Sequence, residues 1–334
     1  MGRLLMAAKI PSSWTLCASS FNWTPEIIAA RRTAADIVTG IAASTAGTVE
    51  LEPGLVWRSF PDPEHAEVDA LRDALAGEGG RISIVGASLD DFMSPTRRRT
   101  LQERLDFLVP QLVAARRVGA GGVRLPLGQA GPQLLALVQP LLHDLDLVLY
   151  EEVQGQQAPD SPAVAPALEA IAALGDRRIR VLVDISMLMP ALPVSYLEEL
   201  GKGGVGPDLL KRLAEEWRDP ATAGAIHALL RAGGVPPRIH TLFMNLLIRF
   251  GRSEAGDLQG ILPLAGAFHL KFWDLDDDGG RVSQPLRDLG GLLSRNGFTG
   301  TLTSEWGGHE WLGDDPTDMT RRHLALAENA LAGG

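Results

Sequence analysis

Eight short apolar segments alternate with stretches of helical character, and this alternation most limits what the chain can fold into. Strands separated by helices pair in parallel, because each helix returns the chain to the same end of the sheet. Eight strand–helix units in succession predict an α/β protein with one (β/α)8 TIM barrel that occupies residues 1–334. The predicted strands are residues 14–20, 48–52, 81–88, 122–128, 145–153, 179–187, 267–273 and 299–306.

A doubly wound open sheet is the alternative to a barrel. That fold would place a glycine-rich, nucleotide-binding turn after the first strand, whereas this chain reads SSFNWTPE there. The same turn predicts a helix that begins at Thr24-Pro25-Glu26 and ends at Gly40. Ser94-Pro95 predicts a second helix start of the same kind.

One connection is too long for a simple crossover. About 80 residues separate the sixth and seventh predicted strands, where a few residues and one helix would suffice. The segment has helical patterns, and we predict a helical insertion over residues 190–265. It leaves from the end of the barrel that carries the active site in such folds, so a lid, a partner-docking element and a plain helical addition all fit the pattern.

Charge and cysteine content exclude several classes of protein. The net charge is −10, which disfavours binding to nucleic acid or to an anionic membrane surface. No apolar run approaches the ~18 residues of a membrane span. The chain has one cysteine, Cys17, and therefore no internal disulfide. We expect a cytoplasmic protein without membrane or nucleic-acid partners.

Four charged or titratable residues fall at the ends of the last four predicted strands. Period-two alternation places Glu152, Asp184, His269 and Glu305 on one set of faces, and we expect these faces to point into the barrel, whereas Glu151 faces the other way. Three carboxylates crowd together only when a cation neutralises them. The set predicts a divalent metal site, with Mn²⁺ or Mg²⁺ favoured over zinc.

Two alternatives to this ligand set remain open. Each acid could instead be a solvated residue at the rim of the barrel. His227 and His240, on predicted insertion helices, are other sources of an imidazole ligand.

The strand-end pattern, together with FHLKFWDLDDDG and GFTGTLTSEWGGHEW, resembles a known family. It is similar to the xylose-isomerase-like sugar phosphate isomerase/epimerase barrels, and within them to the α (catalytic) subunit of C-glycoside deglycosidases. The resemblance implies a Mn²⁺-type site on the four residues and a smaller β subunit as partner. It also implies a lyase reaction on 3-oxo-glycosides, in which a base removes the C2 proton and the aglycone leaves from C1.

The chain departs from that family at the end of the fifth strand. The family pattern Glu-x-His becomes Glu152-Val153-Gln154 here, and a glutamine side chain cannot act as a base at neutral pH. Candidate catalytic residues are therefore Glu152, Glu305 and His309, together with Lys271, which could bind a sugar oxygen or form a salt bridge.

Gln154, Trp273 and Trp306 are candidate substrate-binding residues, although the two tryptophans could equally pack the barrel rim. Two other functions stay open for the same residues. A ketose 3-epimerase or aldose–ketose isomerase would use the same metal site without expelling an aglycone. A barrel that has lost catalysis would serve as a non-catalytic subunit.

Overall fold

A closed barrel of eight parallel strands forms the centre of the computed structural model, which describes residues 9–334. Neighbouring strands follow each other in sequence order, and the first pairs with the last. The TIM barrel predicted from the alternation is confirmed. The strands are β1 (Trp14–Ser19), β2 (Thr48–Leu51), β3 (Arg81–Gly86), β4 (Gly122–Pro126), β5 (Val148–Val153), β6 (Ile179–Asp184), β7 (Ala265–Phe272) and β8 (Gly300–Trp306).

Helices cover the outside of the barrel and fill the long connection between β6 and β7. In chain order they are α1 (Thr24–Ala29), α2 (Ala34–Ser44), α3 (Pro53–Val56), α4 (His65–Gly77), α5 (Leu101–Val118), α6 (Gly131–Asp144), α7 (Ala165–Leu174), α8 (Val194–Lys202), α9 (Pro207–Glu215), α10 (Pro220–Arg231), α11 (His240–Ile248), α12 (Ser283–Arg295) and α13 (Pro316–Ala332). Short 3-10 turns follow β1, β6 and β8 directly.

The inside of the barrel contains a small apolar layer. Ile84, Leu182 and Ala267 are buried there and contact Tyr150. Tyr150, Leu182 and Ala267 are the residues that alternation groups with the predicted ligands of their strands. Because side chains alternate along a strand, the side chains two residues beyond this layer also point into the barrel.

Of the two helix starts predicted from Ser/Thr-Pro pairs, the one at Thr24 is confirmed and the one at Ser94-Pro95 is wrong. The helix expected over residues 24–40 is broken, because Ala30 adopts a left-handed conformation (φ +51°) and α1 ends before it. Ser94-Pro95 lies in a hairpin formed by Phe92–Ser94 and Arg97–Arg98. The next helix starts only at Leu101, where Thr100 and Glu103 form a reciprocal capping box.

The connection between β6 and β7 folds around a core of its own. Helices α8 to α11 bury a cluster that includes Tyr196, Trp217, Phe243 and Phe250, and Trp273 at the end of β7 joins it. The Trp217 indole N–H donates to the carbonyl of Gly251. This part of the chain is therefore a packed helical unit beside the barrel, attached through β7.

Within residues 9–334, none of the helices has the length and apolar character that crossing a bilayer requires.

His323 of α13 is a buried histidine in the outer layer, stacked on Phe272 with ring centroids 3.8 Å apart. Its Nδ1 lies 2.8 Å from Ser304 Oγ, and burial lowers the pKa of His323 to about 3. In the unfolded chain a histidine titrates near pH 6.5. Between these two values only the unfolded state binds the proton, so stability is complete above pH 6.5 and falls as the pH drops toward 3.

As the pH falls below 6.5, we therefore expect protonation of His323 in the unfolded chain to lower the free energy of unfolding by about 1.4 kcal/mol for each pH unit. The loss at pH 5 relative to pH 7 should be ~2 kcal/mol. Urea unfolding of the protein and of His323→Gln at both pH values measures this contribution. The variant should lose less stability than the parent on acidification. Equal losses in the two proteins would contradict the assignment.

Candidate active site

Four residues from four adjacent strands meet at the carboxyl end of the barrel. Ligand atoms of Glu152, Asp184, His269 and Glu305 all lie within 4.8 Å of one another, and all four residues are buried. The rim-solvated alternative does not describe these side chains. The protein therefore contains a buried cluster of three carboxylates and one imidazole that could hold a metal ion.

Strand register explains why these residues meet. Asp184 pairs with His269 across β6 and β7, and His269 pairs with Thr303 across β7 and β8. Glu305 lies two residues beyond Thr303 and therefore projects from the same face. The Asp184 carboxylate also accepts the N–H of Ser186 at 2.7 Å, which ends the strand in a 3-10 turn.

Both ring nitrogens of His269 face carboxylates. Nδ1 lies 2.9 Å from Glu152 Oε1 and 2.6 Å from Glu305 Oε2. Nε2 lies 2.8 Å from Oε1 of Glu50, a fully buried residue of β2. Glu50 was missed in the sequence analysis, which searched only the last four strand ends for chemistry. The signal was present: Thr48, Glu50 and Glu52 share one face of a short apolar strand.

Arg124 of β4 is the second residue that the sequence analysis missed. Its guanidinium donates to Glu50 Oε1 at 2.7 Å, to Glu152 Oε2 at 3.1 Å, and to Glu52. The Arg124 guanidinium thus connects the four-residue cluster, through Glu152, to Glu50 of β2 and to Glu52 just beyond it. The mouth holds five carboxylates and three basic groups, and it is the contacts between them that make their burial tolerable.

The protonation states of these groups follow from burial opposed by charge. Burial would raise the pKa of Glu305, but Lys271 and His269 hold it well below its usual range. Burial would lower the pKa of Lys271, but Glu305 and Asp184 raise it above its usual value. Nearby positive charges offset the burial of Asp184 less completely, so burial raises the pKa of Asp184 to about 6. The cluster is therefore mostly ionised at neutral pH, with Asp184 closest to titration.

The donor set fits a divalent cation. A single hydrogen on His269 Nδ1 cannot serve both Glu152 and Glu305, and among residues 9–334 Glu305 Oε2 has no hydrogen-bond partner. If Nε2 carries its hydrogen toward Glu50, Nδ1 presents a lone pair to two anionic oxygens. Such an arrangement is stable when a cation lies among the three groups. Carboxylate oxygens with one imidazole suit a hard to borderline divalent ion.

A cavity of about 460 Å³ opens onto this cluster, within the range of small-molecule sites. Glu152 and Glu305 line it, as do the predicted residues Lys271, Gln154 and Trp273. The Lys271 ammonium donates to Glu305 Oε1 at 3.0 Å. Both readings of Lys271 are compatible with this position, since it forms the salt bridge and still reaches the cavity.

The insertion and the first connection supply the remaining walls of the cavity. Ile248 and Arg249 of the insertion line it, and Arg249 forms an ion pair with Glu310 beyond β8. Phe21 lines the side next to β1, with Lys271 Nζ 4.9 Å from its ring centre. The cavity therefore combines one charged wall with apolar surfaces.

Trp306 and His309 occupy other positions than the predicted ones. Trp306 points outward from β8, and its indole N–H donates to the Trp273 carbonyl at 2.7 Å. His309 packs edge-on against Phe21, with ring centroids 4.7 Å apart. Both line a neighbouring cavity of about 540 Å³, and neither lines the cavity above the four-residue cluster.

Other acids and histidines of the sequence analysis lie outside the cluster. Glu151 faces the outer layer and accepts the N–H groups of Gly128 and Ala130 at 3.0 and 3.3 Å. His227 and His240 are exposed on α10 and α11, so neither supplies the imidazole. The strand-five register with Glu152 inward is the one observed.

A larger cavity, of about 740 Å³, lies away from this cluster, between the insertion and α12. It is lined by surface groups such as Arg218, Glu254 and Arg287 and contains none of the cluster residues. Cavity volume alone therefore does not identify the active site. Buried charged groups that need a bound partner of opposite charge identify it better.

Sequence comparison now bears on this geometry. No protein-family model matches the chain. The C-glycoside deglycosidase alpha subunit of Arthrobacter globiformis is 27% identical over 320 residues, which cover 93% of this chain and 90% of the relative. The chain is thus similar in sequence, over most of its length, to a protein named as a C-glycoside deglycosidase alpha subunit. The 3'-dehydrocarminate deglycosidase alpha subunit of a Microbacterium species is also 27% identical, over 297 residues that cover 82% of this chain and 84% of the relative.

Solved structures agree on the fold of this deglycosidase relative. D-psicose 3-epimerase superposes with a TM-score of 0.58 at 13% identity, covering 96% of this chain and 100% of the epimerase chain. The relatives of this chain are thus named as enzymes, and the names of the deglycosidases mark them as alpha subunits.

Proposed function

We propose that the chain is a metal-dependent lyase that cleaves 3-oxo-glycosides, with Mn²⁺ held by Glu152, Asp184, His269 and Glu305. The observation that carries the proposal is the buried four-residue cluster on the floor of a sugar-sized cavity. The deglycosidase relatives, which extend over 93% of the chain in the first case, support the substrate class.

The chemistry begins with a weak carbon acid. When bound, the metal supplies Lewis-acid stabilisation of charge on the substrate's ketone oxygen. A carboxylate at the cavity wall, Glu152 or Glu305, takes the proton from C2. The C2–H bonding pair then forms a C1=C2 double bond, and the aglycone leaves C1 with its own bonding pair and is protonated.

Other residues hold the substrate for this step. Lys271 carries a positive charge at the cavity wall and can donate to a sugar oxygen on which charge develops. Gln154 is exposed at the cavity rim and can donate to or accept from sugar hydroxyls, but it cannot take a proton. Trp273 offers an apolar face. The mechanism does not involve His309 or Trp306, because Phe21 and Trp273 line the cavity and those two residues do not.

We also propose a smaller β subunit as partner and a cytoplasmic location. The names of the relatives support the partner, and the single cysteine supports a reducing compartment.

Incubation of Mn²⁺-loaded protein with a 3-oxo-C-glucoside tests the function. The encoded β subunit should be co-expressed where one is found beside the gene. We expect release of free aglycone, measured chromatographically, and its loss after chelation of the metal. In D₂O, deuterium should enter at C2 of recovered substrate.

Two other results would replace the proposal. Turnover of a free ketose without aglycone release would assign the chain to ketose 3-epimerases or aldose–ketose isomerases. A protein that takes up no divalent metal and turns over neither substrate would be a non-catalytic barrel subunit.

A further inference from the structure

Glu50 is a fully buried carboxylate whose two oxygens are held by three different strands. Oε1 lies 2.8 Å from His269 Nε2 on β7 and accepts from Arg124 Nε on β4 at 2.7 Å. Oε2 accepts from Thr303 Oγ1 on β8 at 2.9 Å. A buried carboxylate with donors on both oxygens has one orientation, so the His269 ring meets a fixed acceptor.

A fixed acceptor at Nε2 determines what the other ring nitrogen can do. A neutral imidazole, the form that binds a metal, has its lone pair on Nδ1 when it donates Nε2–H to a carboxylate. Nδ1 is the nitrogen that faces Glu152 and Glu305. We infer that Glu50 is a positioning residue that sets the tautomer and ring orientation of His269 for metal binding. This inference rests on the metal site of the proposed function.

Arg124 couples this positioning residue to the ligand set. The same guanidinium that donates to Glu50 also donates to Glu152 Oε2, leaving Oε1 of Glu152 on the side of His269. The contact holds Glu50 and Glu152 at opposite ring nitrogens of His269. Replacement of Glu50 therefore removes a group that contacts the imidazole itself. Replacement of another partner of Arg124 can affect the imidazole only indirectly, through Arg124.

Glu52 provides the matched control. It lies two residues further along the chain, contacts the same guanidinium, and lines the cavity. It makes no hydrogen bond to His269 among residues 9–334. Glu50→Leu and Glu52→Leu thus remove the same charge from the same partner, and only the first removes the acceptor at Nε2, because leucine has no amide oxygen that could still accept.

Metal titration of the full chain by calorimetry, with Mn²⁺ alone as probe, tests the inference. We expect Glu50→Leu to weaken Mn²⁺ binding about 10- to 100-fold, as for other outer-sphere partners of metal-bound histidine. Glu52→Leu should change it less than about 3-fold. Glu50→Asp, which keeps the charge, should recover part of the loss. Circular dichroism and thermal unfolding of the metal-free proteins select variants that retain the fold.

Nitrogen NMR of histidine-labelled protein loaded with diamagnetic Mg²⁺ gives a readout that a purely structural role would not move. His269 should show a hydrogen-bonded Nε2–H in the parent protein and in Glu52→Leu, and should lose that state in Glu50→Leu. Unchanged tautomer and metal affinity in a folded Glu50→Leu would overturn the inference. Failure of the proposed function is a separate result: the metal-loaded parent would bind Mn²⁺ yet release no aglycone from a 3-oxo-glycoside.

Discussion

Glu305→Gln is expected to abolish aglycone release while leaving the barrel folded. The amide keeps the size of the side chain and can still accept from Lys271, but it removes one charged oxygen from the four-residue cluster. Mn²⁺ affinity should fall more than about 100-fold, beyond the range for outer-sphere partners. Loss of Lewis-acid stabilisation worth several kcal/mol should lower turnover at least about 1,000-fold.

Metal content after dialysis and the rate of aglycone release measure this effect, and Glu151→Gln is its control. Glu151 is buried on the opposite face of β5, where it accepts two backbone N–H groups. Its replacement should lower the free energy of unfolding by about 1–2 kcal/mol and leave metal content unchanged. Loss of metal in Glu151→Gln with retention in Glu305→Gln would refute the site.

Lys271→Met should separate catalysis from metal binding. Lys271 contributes a buried positive charge beside Glu305, and removing it relieves repulsion of an incoming cation. We expect Mn²⁺ to bind at least as tightly as in the parent. Turnover should nevertheless fall about 100- to 1,000-fold, the range for loss of one donor that stabilises developing negative charge.

A lysine away from the cavity controls for loss of charge alone. Lys202 forms an exposed pair with Glu199 on α8, so Lys202→Met should leave both turnover and metal affinity unchanged. Calorimetric titration and steady-state rates of the two variants make the comparison. Weakened metal binding in Lys271→Met, or undiminished turnover, would show that the ammonium is only a structural partner of Glu305.

Most of what the sequence predicted about the site came from the alternation of side chains between the two faces of a strand. It selected Glu152 over Glu151 because neighbouring residues of a strand face opposite sides. The same rule, applied at Glu305, places Trp306 outward, so its outward position was predictable. His309 was not, because the strand ends at Trp306 and a 3-10 turn over Gly308–Glu310 redirects the chain.

Strand alternation indicates that Glu50 shares a face with Thr48 and Glu52, but its contacts with His269 and Arg124 depend on closure of the barrel. β2 and β7 are not neighbours in the barrel, yet Glu50 and His269 meet because closure brings inward side chains together across its interior. Ala30 itself gives no signal of the break, since alanine is a good helix former, but Thr33 and Asp36 have the spacing of a helix N-cap and mark the start of α2. Local pattern thus predicted the elements and their faces, and the contacts across the barrel came from topology.

The separate core of the insertion divides this protein into two parts that can change independently. The residues that would perform the chemistry belong to barrel strands, while Ile248 and Arg249 reach the same cavity from helices packed on a different set of side chains. Substitutions inside that helical unit can reshape the space for an aglycone without disturbing the ligands. Divergence in substrate choice among related chains should therefore concentrate in this unit, and exchanging it whole is a practical route to new specificity.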